Sequence, residues 1–287
     1  MNCFFYFLLA QELYFWYHMV MKLEPEKSES SPIIWEVPPA GTCKKILYVV
    51  WTVFTEILSL IALIALYPFS PLISRIVVNK DAPGPHVILV HGYLHNASGW
   101  IYFLWRAKNS GLGPVHSINL GWNPFRSLEN YADVIKAKIE AIQKKHPGEK
   151  FQLVGHSMGG VDSVYTATNK ELLPFREVTH VATLGSPLKG TVSAKIGFGQ
   201  NARAMEPKSS FLKKLEDQLE KCDDVRFYNV AAINDPIVFP YTTSLLKTNK
   251  AVHRILRGVG HAGLLFSPTV INQTIEWLKQ NRYTVLA

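Results

Sequence analysis

Hydrophobic positions along this chain fall into two regimes. From residue 86 onward, short apolar runs alternate with stretches whose apolar residues recur every three or four positions. The runs are 86–92 (HVILVHG), 115–121 (VHSINLG), 150–156 (KFQLVGH), 178–187 (VTHVATLGSP), 225–235 (VRFYNVAAIND) and 253–261 (HRILRGVGH). Continuous apolar runs of this length predict strands buried on both faces. Between them, 97–109 reads as a helix. From Ser127 to His146, apolar Leu128, Tyr131, Ile135, Ile139 and Ile142 recur at steps of 3, 4, 4 and 3, and Pro147-Gly148 stop the pattern. That is an amphipathic helix. A further helix is expected at or just after Ser157, and a helical stretch at 268–281 closes the alternation. Repeated β–α alternation predicts an α/β fold, a mostly parallel central sheet with helices on both faces. In such folds the chemistry collects at the carboxyl ends of the strands.

The second regime lies upstream. Residues 46–67 (ILYVVWTVFTEILSLIALIALY) form an apolar stretch of 22 residues, and roughly 20 helical residues cross a bilayer core. Glu56 near the middle would cost about 2.5–3.5 kcal/mol on insertion scales, which the surrounding Leu, Ile, Val and Phe can offset. The stretch predicts a transmembrane or deeply embedded anchor; the alternative is a hydrophobic helix packed on the domain that follows. Residues 3–20 are also apolar, but they lack a basic leading region and an A-x-A-like cleavage site. They read as a second membrane-associated segment or as an extension upstream of a start at Met19 or Met21. The proline-rich, charged segment 22–42 reads as a linker. The chain therefore divides into a hydrophobic N-terminal region, 1–80, and a globular domain, 81–287. Four Lys/Arg lie between residues 22 and 45 against two between 68 and 80. That bias points to an inside N-terminus and a translocated domain; a second span in 3–20 reverses it, so the side of the membrane stays open.

Charge sharpens the picture. The formal net charge is +8; charges cancel within residues 1–80, so the whole excess falls in 81–287. A basic domain favours anionic surfaces, lipid headgroups or nucleic acid. No zinc-finger spacing or RNA-binding signature accompanies the charge, so a membrane surface is the expected partner and nucleic acid is not. The three cysteines, Cys3, Cys43 and Cys222, are far apart and odd in number. They form no disulfide framework and no metal-binding pair.

The sharpest signal is Gly155-His156-Ser157-Met158-Gly159, a G-x-S-x-G pattern between an apolar strand and a helix-compatible run. The glycines permit a tight strand-to-helix turn that lifts Ser157 above the sheet. A serine hydroxyl is a weak nucleophile and needs a base, a group to orient that base, and donors for the developing oxyanion. In the order Ser, acid, His, the expected partners are Asp235, ending VAAIND, and His261, ending LRGVGH. His91, His95, His116, His156 and His180 are weaker bases because they precede or adjoin the later strands, and His156 should point away from the serine hydroxyl. Asp223 and Asp224 precede their strand and so fall at the wrong end. The oxyanion donors are expected to be the backbone N–H groups of Met158 and Tyr93, with the Tyr93 side chain lining an acyl pocket or simply packing.

The segment 188–222 is too long for a simple connection. It combines Gly190, Gly197 and Gly199 with a helical stretch carrying Phe211, Leu212, Leu215 and Leu219 on one face. This predicts a lid over the acyl site, with an ordinary helix packed on the sheet as the alternative.

Taken together, HGYLHNASGW (91–100), GHSMGG (155–160), LGSPLKGT (184–191), NDPIV (234–238) and GVGHAGLL (258–265) resemble the α/β-hydrolase superfamily. Within it the chain is similar to small microbial lipases and esterases, over about residues 84–285. LGSPLKGT looks like the turn that opens the lid region in bacterial lipases, and MEPKSSFLKKLE (205–216) is similar to another of their segments. The resemblance implies a carboxylic ester hydrolase acting on lipid or other acyl esters through Ser157, Asp235 and His261, with an acyl-enzyme intermediate and no metal or organic cofactor. The same triad could serve an acyltransferase or thioesterase. A membrane-tethered binding protein that kept the fold is the non-enzymatic alternative.

Overall fold

Val, Ile and Leu dominate the apolar runs, and each run is followed by enough chain for a crossover, so the strands pair in parallel. The computed structural model describes residues 42–280 except 122, 175 and 176. The 3–20 segment, and the linker before Thr42, lie outside the described residues. The strands are β1 (Val77–Val78), β2 (His86–Val90), β3 (Val115–Ile118), β4 (Phe151–His156), β5 (Val178–Leu184), β6 (Arg226–Ala232) and β7 (Ala251–Leu256). They form a sheet of order β1-β3-β2-β4-β5-β6-β7. Every pairing is parallel except that of the short edge strand β1 with β3. β1 was not legible as a strand, since two residues carry no period.

The helices are α1 (Thr42–Leu66), α2 (Ile101–Ala107), α3 (Leu128–Gln143), α4 (Met158–Thr168), α5 (Gly199–Ala204), α6 (Ser210–Glu220) and α7 (Pro268–Gln280). α3 buries all five periodic positions, and the Ser127 side chain caps its first turn by accepting the Asn130 N–H. The 97–109 stretch is a 3-10 turn, Ala97–Trp100, running into α2. Alternate strand residues feed two cores, as a period of two requires. Ile88, Val90, Leu153 and Phe227 join α3, α4 and α6 on one face. Val87, Leu89, Val154, Tyr228 and Val230 join α2 and α7 on the other.

One feature departs from expectation, and a second bears on the lid segment. The 253–261 run is extended only as far as Leu256, because Gly258 turns at φ +75° and its N–H bonds to Asn234 Oδ1 at 2.9 Å. His261 therefore sits in a loop, five residues beyond the strand. In the 188–222 segment, Phe211, Leu212 and Leu215 of α6 are buried in the core cluster that includes α4. Leu219, the fourth residue of that face, is partly buried against the same cluster.

α1 is long and apolar enough to cross a membrane, together with the turns that follow it. One stripe of it is docked on the domain. Thr52, Glu56, Ser59 and Leu63, spaced by 4, 3 and 4, are buried. Thr52 and Ser59 return their hydroxyl hydrogens to the carbonyls of Tyr48 and Thr55, both at 2.8 Å, so neither is left unpaired. Leu47, Val50, Trp51, Phe54, Leu58, Ile61 and Ile64 point outward and are exposed.

Candidate active site

The chain leaves β2 to lay down β3 on one side and then places β4 on the other. Such a reversal opens a crevice at the carboxyl ends of the two strands. The loop after β2 and the turn after β4 meet there. Ser157 follows β4 directly, with φ 55° and ψ −129°, and donates its N–H to Leu184 O at 2.9 Å. A side chain in this region of backbone space costs about 1–3 kcal/mol and persists only where the surroundings enforce it. Close packing enforces it here. A Cβ on Gly155 would collide with the backbone of Gly159 and Gly160, and one on Gly159 with the carbonyls of Val90 and His91. The turn is thus wedged against the end of β2. In the loop beyond β2, a Cβ on Gly92 would lie 2.8 Å from Ser157 Cβ. That contact brings Gly92, and Tyr93 after it, against the serine.

Asp235 and His261 meet beside this turn. His261 Nδ1 lies 2.7 Å from Asp235 Oδ2. Asp235 Oδ1 accepts the N–H groups of Ile237 and Val238 at 2.8 and 2.7 Å. One carboxylate oxygen is therefore pinned by the loop and the other is aimed at the imidazole. Gly185, next to the residue that accepts the Ser157 N–H, ties the three together: a Cβ there would sit 3.1 Å from Asp235 Oδ2 and 3.4 Å from His261 Nδ1. Burial pushes the His261 pKa down, but the Asp235 charge and hydrogen bond, with the Glu56 charge, outweigh it and leave it raised above 6.5.

The other histidines behave differently. Burial holds His91 at about 4 and His95 at about 3, and lowers His156 well below its usual range. His91 has a structural task, pairing through Nδ1 with Gly92 O and accepting the Leu120 N–H at Nε2, both at 2.9 Å. His156 pairs through Nε2 with the backbone carbonyl of His261 at 3.0 Å, its ring 4.6 Å from the His261 ring. It supports the histidine loop from beneath. His116 pairs with His86, which begins β2, and His180 lies in the first half of β5, so neither is at the carboxyl edge. Asp223 and Asp224 precede β6.

Met158 opens α4, so its N–H belongs to the first turn, where helical amides have no partner within the helix. The Tyr93 hydroxyl donates to Phe198 O at 2.6 Å, and its ring meets the Phe198 ring edge-on. Tyr93 thereby joins the loop after β2 to the 192–198 segment after β5. Exposed Phe125, Val192, Ile196, Phe198 and Phe239 stand on loops at this same carboxyl edge.

Sequence reasoning missed Glu56. Its carboxylate is buried against the histidine loop, where Oε1 accepts the Ala262 N–H at 2.6 Å and Oε2 the Gly263 N–H at 2.8 Å. The one available signal was a carboxylate inside an otherwise apolar run. Among the described residues, no group of three or more His, Cys, Asp or Glu side chains is placed to hold a metal ion. A groove of about 670 Å³, lined by Lys189, Lys213, Lys247 and Lys250 among others, lies apart from Ser157, Asp235 and His261.

A doubly wound sheet with a serine turn at its switch point defines an α/β-hydrolase. Residues 87–230 match the alpha/beta hydrolase family model, and the chain belongs to that family. The match ends before Asp235 and His261. No curated protein matches the chain in sequence. Among solved structures, the mature form of Bacillus licheniformis lipase BlEst2 aligns with a TM-score of 0.57 at 18% identity, covering 72% of this chain and 95% of that one. Paleococcus ferrophilus monoacylglycerol lipase aligns at 0.53 and 16% identity, covering 71% and 97%. EstE1, a thermophilic carboxylesterase cloned from a metagenomic library, aligns at 0.54 and 13% identity, covering 72% and 83%. At these identities the likeness is one of fold.

Proposed function

We propose that this protein is a serine hydrolase that cleaves carboxylic esters, with lipid acyl esters as its substrates. The observation that carries the reading is the 2.7 Å His261–Asp235 pair beside a serine held at positive φ. Asp235 holds the imidazole with its proton on Nδ1, which leaves Nε2 as the base. Nε2 takes the Ser157 Oγ proton as Oγ attacks the ester carbonyl. The N–H groups of Tyr93 and Met158 receive the oxyanion. Collapse of the tetrahedral intermediate expels the alcohol, which takes the proton from His261. Water, deprotonated by the same nitrogen, then releases the acid and restores the serine. The steps draw on side chains and backbone amides of this chain and on water.

Lipid substrates are favoured by the exposed apolar rim of Phe125, Val192, Ile196, Phe198 and Phe239 around the serine edge. The 188–222 segment would supply a lid over the acyl site, its 192–198 stretch tied to the loop after β2 by the Tyr93 hydroxyl. The exposed face of α1 would rest in the interfacial layer of a membrane with its docked stripe kept on the protein. A full crossing would strip Glu56 of its two backbone amide partners.

The test pairs a fluorophosphonate label with p-nitrophenyl esters of increasing chain length, on wild type and Ser157→Ala. Labelling and turnover in wild type, both lost in the variant, are the expected result, with preference for longer chains. A wild type that is neither labelled nor active, with detergent or lipid present, would overturn the reading. Product analysis with an added alcohol separates hydrolysis from acyl transfer.

A further inference from the structure

α1 does more than lie against the domain. Loop 258–263, which carries His261, is clasped by it along its length. The Tyr48 ring packs on Gly258, leaving no room for a Cβ there. Gly260 is likewise flush against the Glu56 carboxylate, where a Cβ would overlap. The two residues after His261 then donate their N–H groups to the two Glu56 oxygens. These amides open the 3-10 turn Ala262–Leu265, for which His261 is the N-cap, so they have no partner within the turn. Glu56 supplies that partner from 206 positions upstream.

His261 is thus held from three sides by three elements. Asp235 holds the ring, His156 holds the backbone carbonyl, and Glu56 holds the two following amides. The loop has little internal structure of its own to keep the imidazole in place. A carboxylate in an apolar helix is costly unless its oxygens are satisfied, and the rotational setting of α1 satisfies both with the Ala262 and Gly263 amides. That setting turns Trp51, Phe54 and Leu58 away from the protein.

We propose that Glu56 is a positioning residue for His261, and that α1 is therefore a part of the active site rather than a detachable anchor. The proposal rests on the Ser157–Asp235–His261 reading for its effect on turnover. Its effect on the imidazole can be read without turnover. The charged and titratable groups acting on His261 and on its neighbour His156 are Asp235, Glu56, His91 and His95. Of these, the carboxylates of Asp235 and Glu56 stabilise the imidazolium; burial raises the Glu56 pKa to about 7 against the pull of its two amide partners, so its charge acts fully on His261 only above that pH.

The experiment uses the full chain in detergent, comparing wild type, Glu56→Gln and Leu63→Ala. Gln is close to isosteric with Glu but can accept through one oxygen only. Leu63 lies on the same docked stripe, two turns away, in the apolar core. Three readouts are taken: kcat and KM on a water-soluble short-chain ester, thermal stability, and the His261 pKa by NMR titration of the imidazole. Glu56→Gln should lower kcat by about tenfold or more with KM within about twofold, and should lower the His261 pKa. Leu63→Ala should lower thermal stability while leaving the His261 pKa in place. An unchanged kcat and pKa in Glu56→Gln overturns the proposal. So does an equal kcat loss in Leu63→Ala at full folding, because that would make the effect one of general docking. If wild type proves inert towards esters and label, the hydrolase reading falls, and the NMR titration still decides whether Glu56 acts on His261.

Discussion

Asp235 divides its two oxygens between two tasks: Oδ1 takes the Ile237 and Val238 amides, and Oδ2 faces His261 Nδ1 at 2.7 Å. That division makes the effect of Asp235→Asn specific. The backbone amides hold the side-chain oxygen at the Oδ1 position, so the Asn NH2 group must face the imidazole. His261 would then accept at Nδ1 and carry its proton on Nε2, where it cannot act as a base. The variant should fold normally and lose about 10⁴-fold in kcat at neutral pH. The pH profile carries a second signature. With His261 as the proposed base, its raised pKa should place the acid limb of kcat/KM above pH 6.5 in wild type, since a base must be neutral. Loss of the Asp235 charge should move that limb to lower pH. Steady-state kinetics across pH 5–9 check both.

Asp162 lies on α4, one turn beyond Ser157, fully buried, and neither of its oxygens has a hydrogen-bond partner among the described residues. Burial first, and Glu129 second, raise its pKa well above 3.8. The sign follows from linkage. Below about pH 4 the folded and unfolded states both hold the proton and there is no penalty. As pH rises, the unfolded chain ionises while the native state does not. Stability then falls by about 1.4 kcal/mol per pH unit until the native pKa is reached. Asp162→Asn removes this titration. The variant should gain on wild type in thermal unfolding as pH rises above about 4, whatever the offset at pH 4. A difference that stays flat with pH would mean that Asp162 titrates normally.

The outward face of α1 should set affinity for lipid, independently of the chemistry. Each buried apolar side chain contributes about 1.5–3 kcal/mol. Trp51→Ser and Leu58→Ser should each weaken binding to anionic vesicles by about tenfold or more, as read by co-flotation. Turnover of a water-soluble ester should be unchanged, because neither residue touches the histidine loop. Unaltered flotation would mean that this face meets something other than lipid.

Much of this architecture is legible from local pattern. The steps of 3 and 4 from Leu128 to Ile142 define α3 because one stripe must face the core whatever the neighbours are. The six apolar runs define the parallel strands for the same reason. The G-x-S-x-G turn is legible because only glycine tolerates the contacts that Gly155 and Gly159 make.

Long-range contacts lie beyond such patterns. The apolar face of α6 has the same periodicity whether it covers a substrate or a core; in the structure Phe211, Leu212 and Leu215 lie in the cluster that includes α4. The extended run ending at His261 breaks at Gly258, whose amide is claimed by Asn234 from a different loop. Glu56 shows the limit most clearly. Hydropathy averages over a window and treats a carboxylate among leucines as a cost to be offset. Its partners are two backbone amides some two hundred residues away, and backbone amides carry no residue-specific mark in the sequence. Periodicity and turn chemistry are properties of neighbouring residues, so a linear chain displays them. Which buried polar group meets which depends on how the helices dock, and that exists only once the chain has folded.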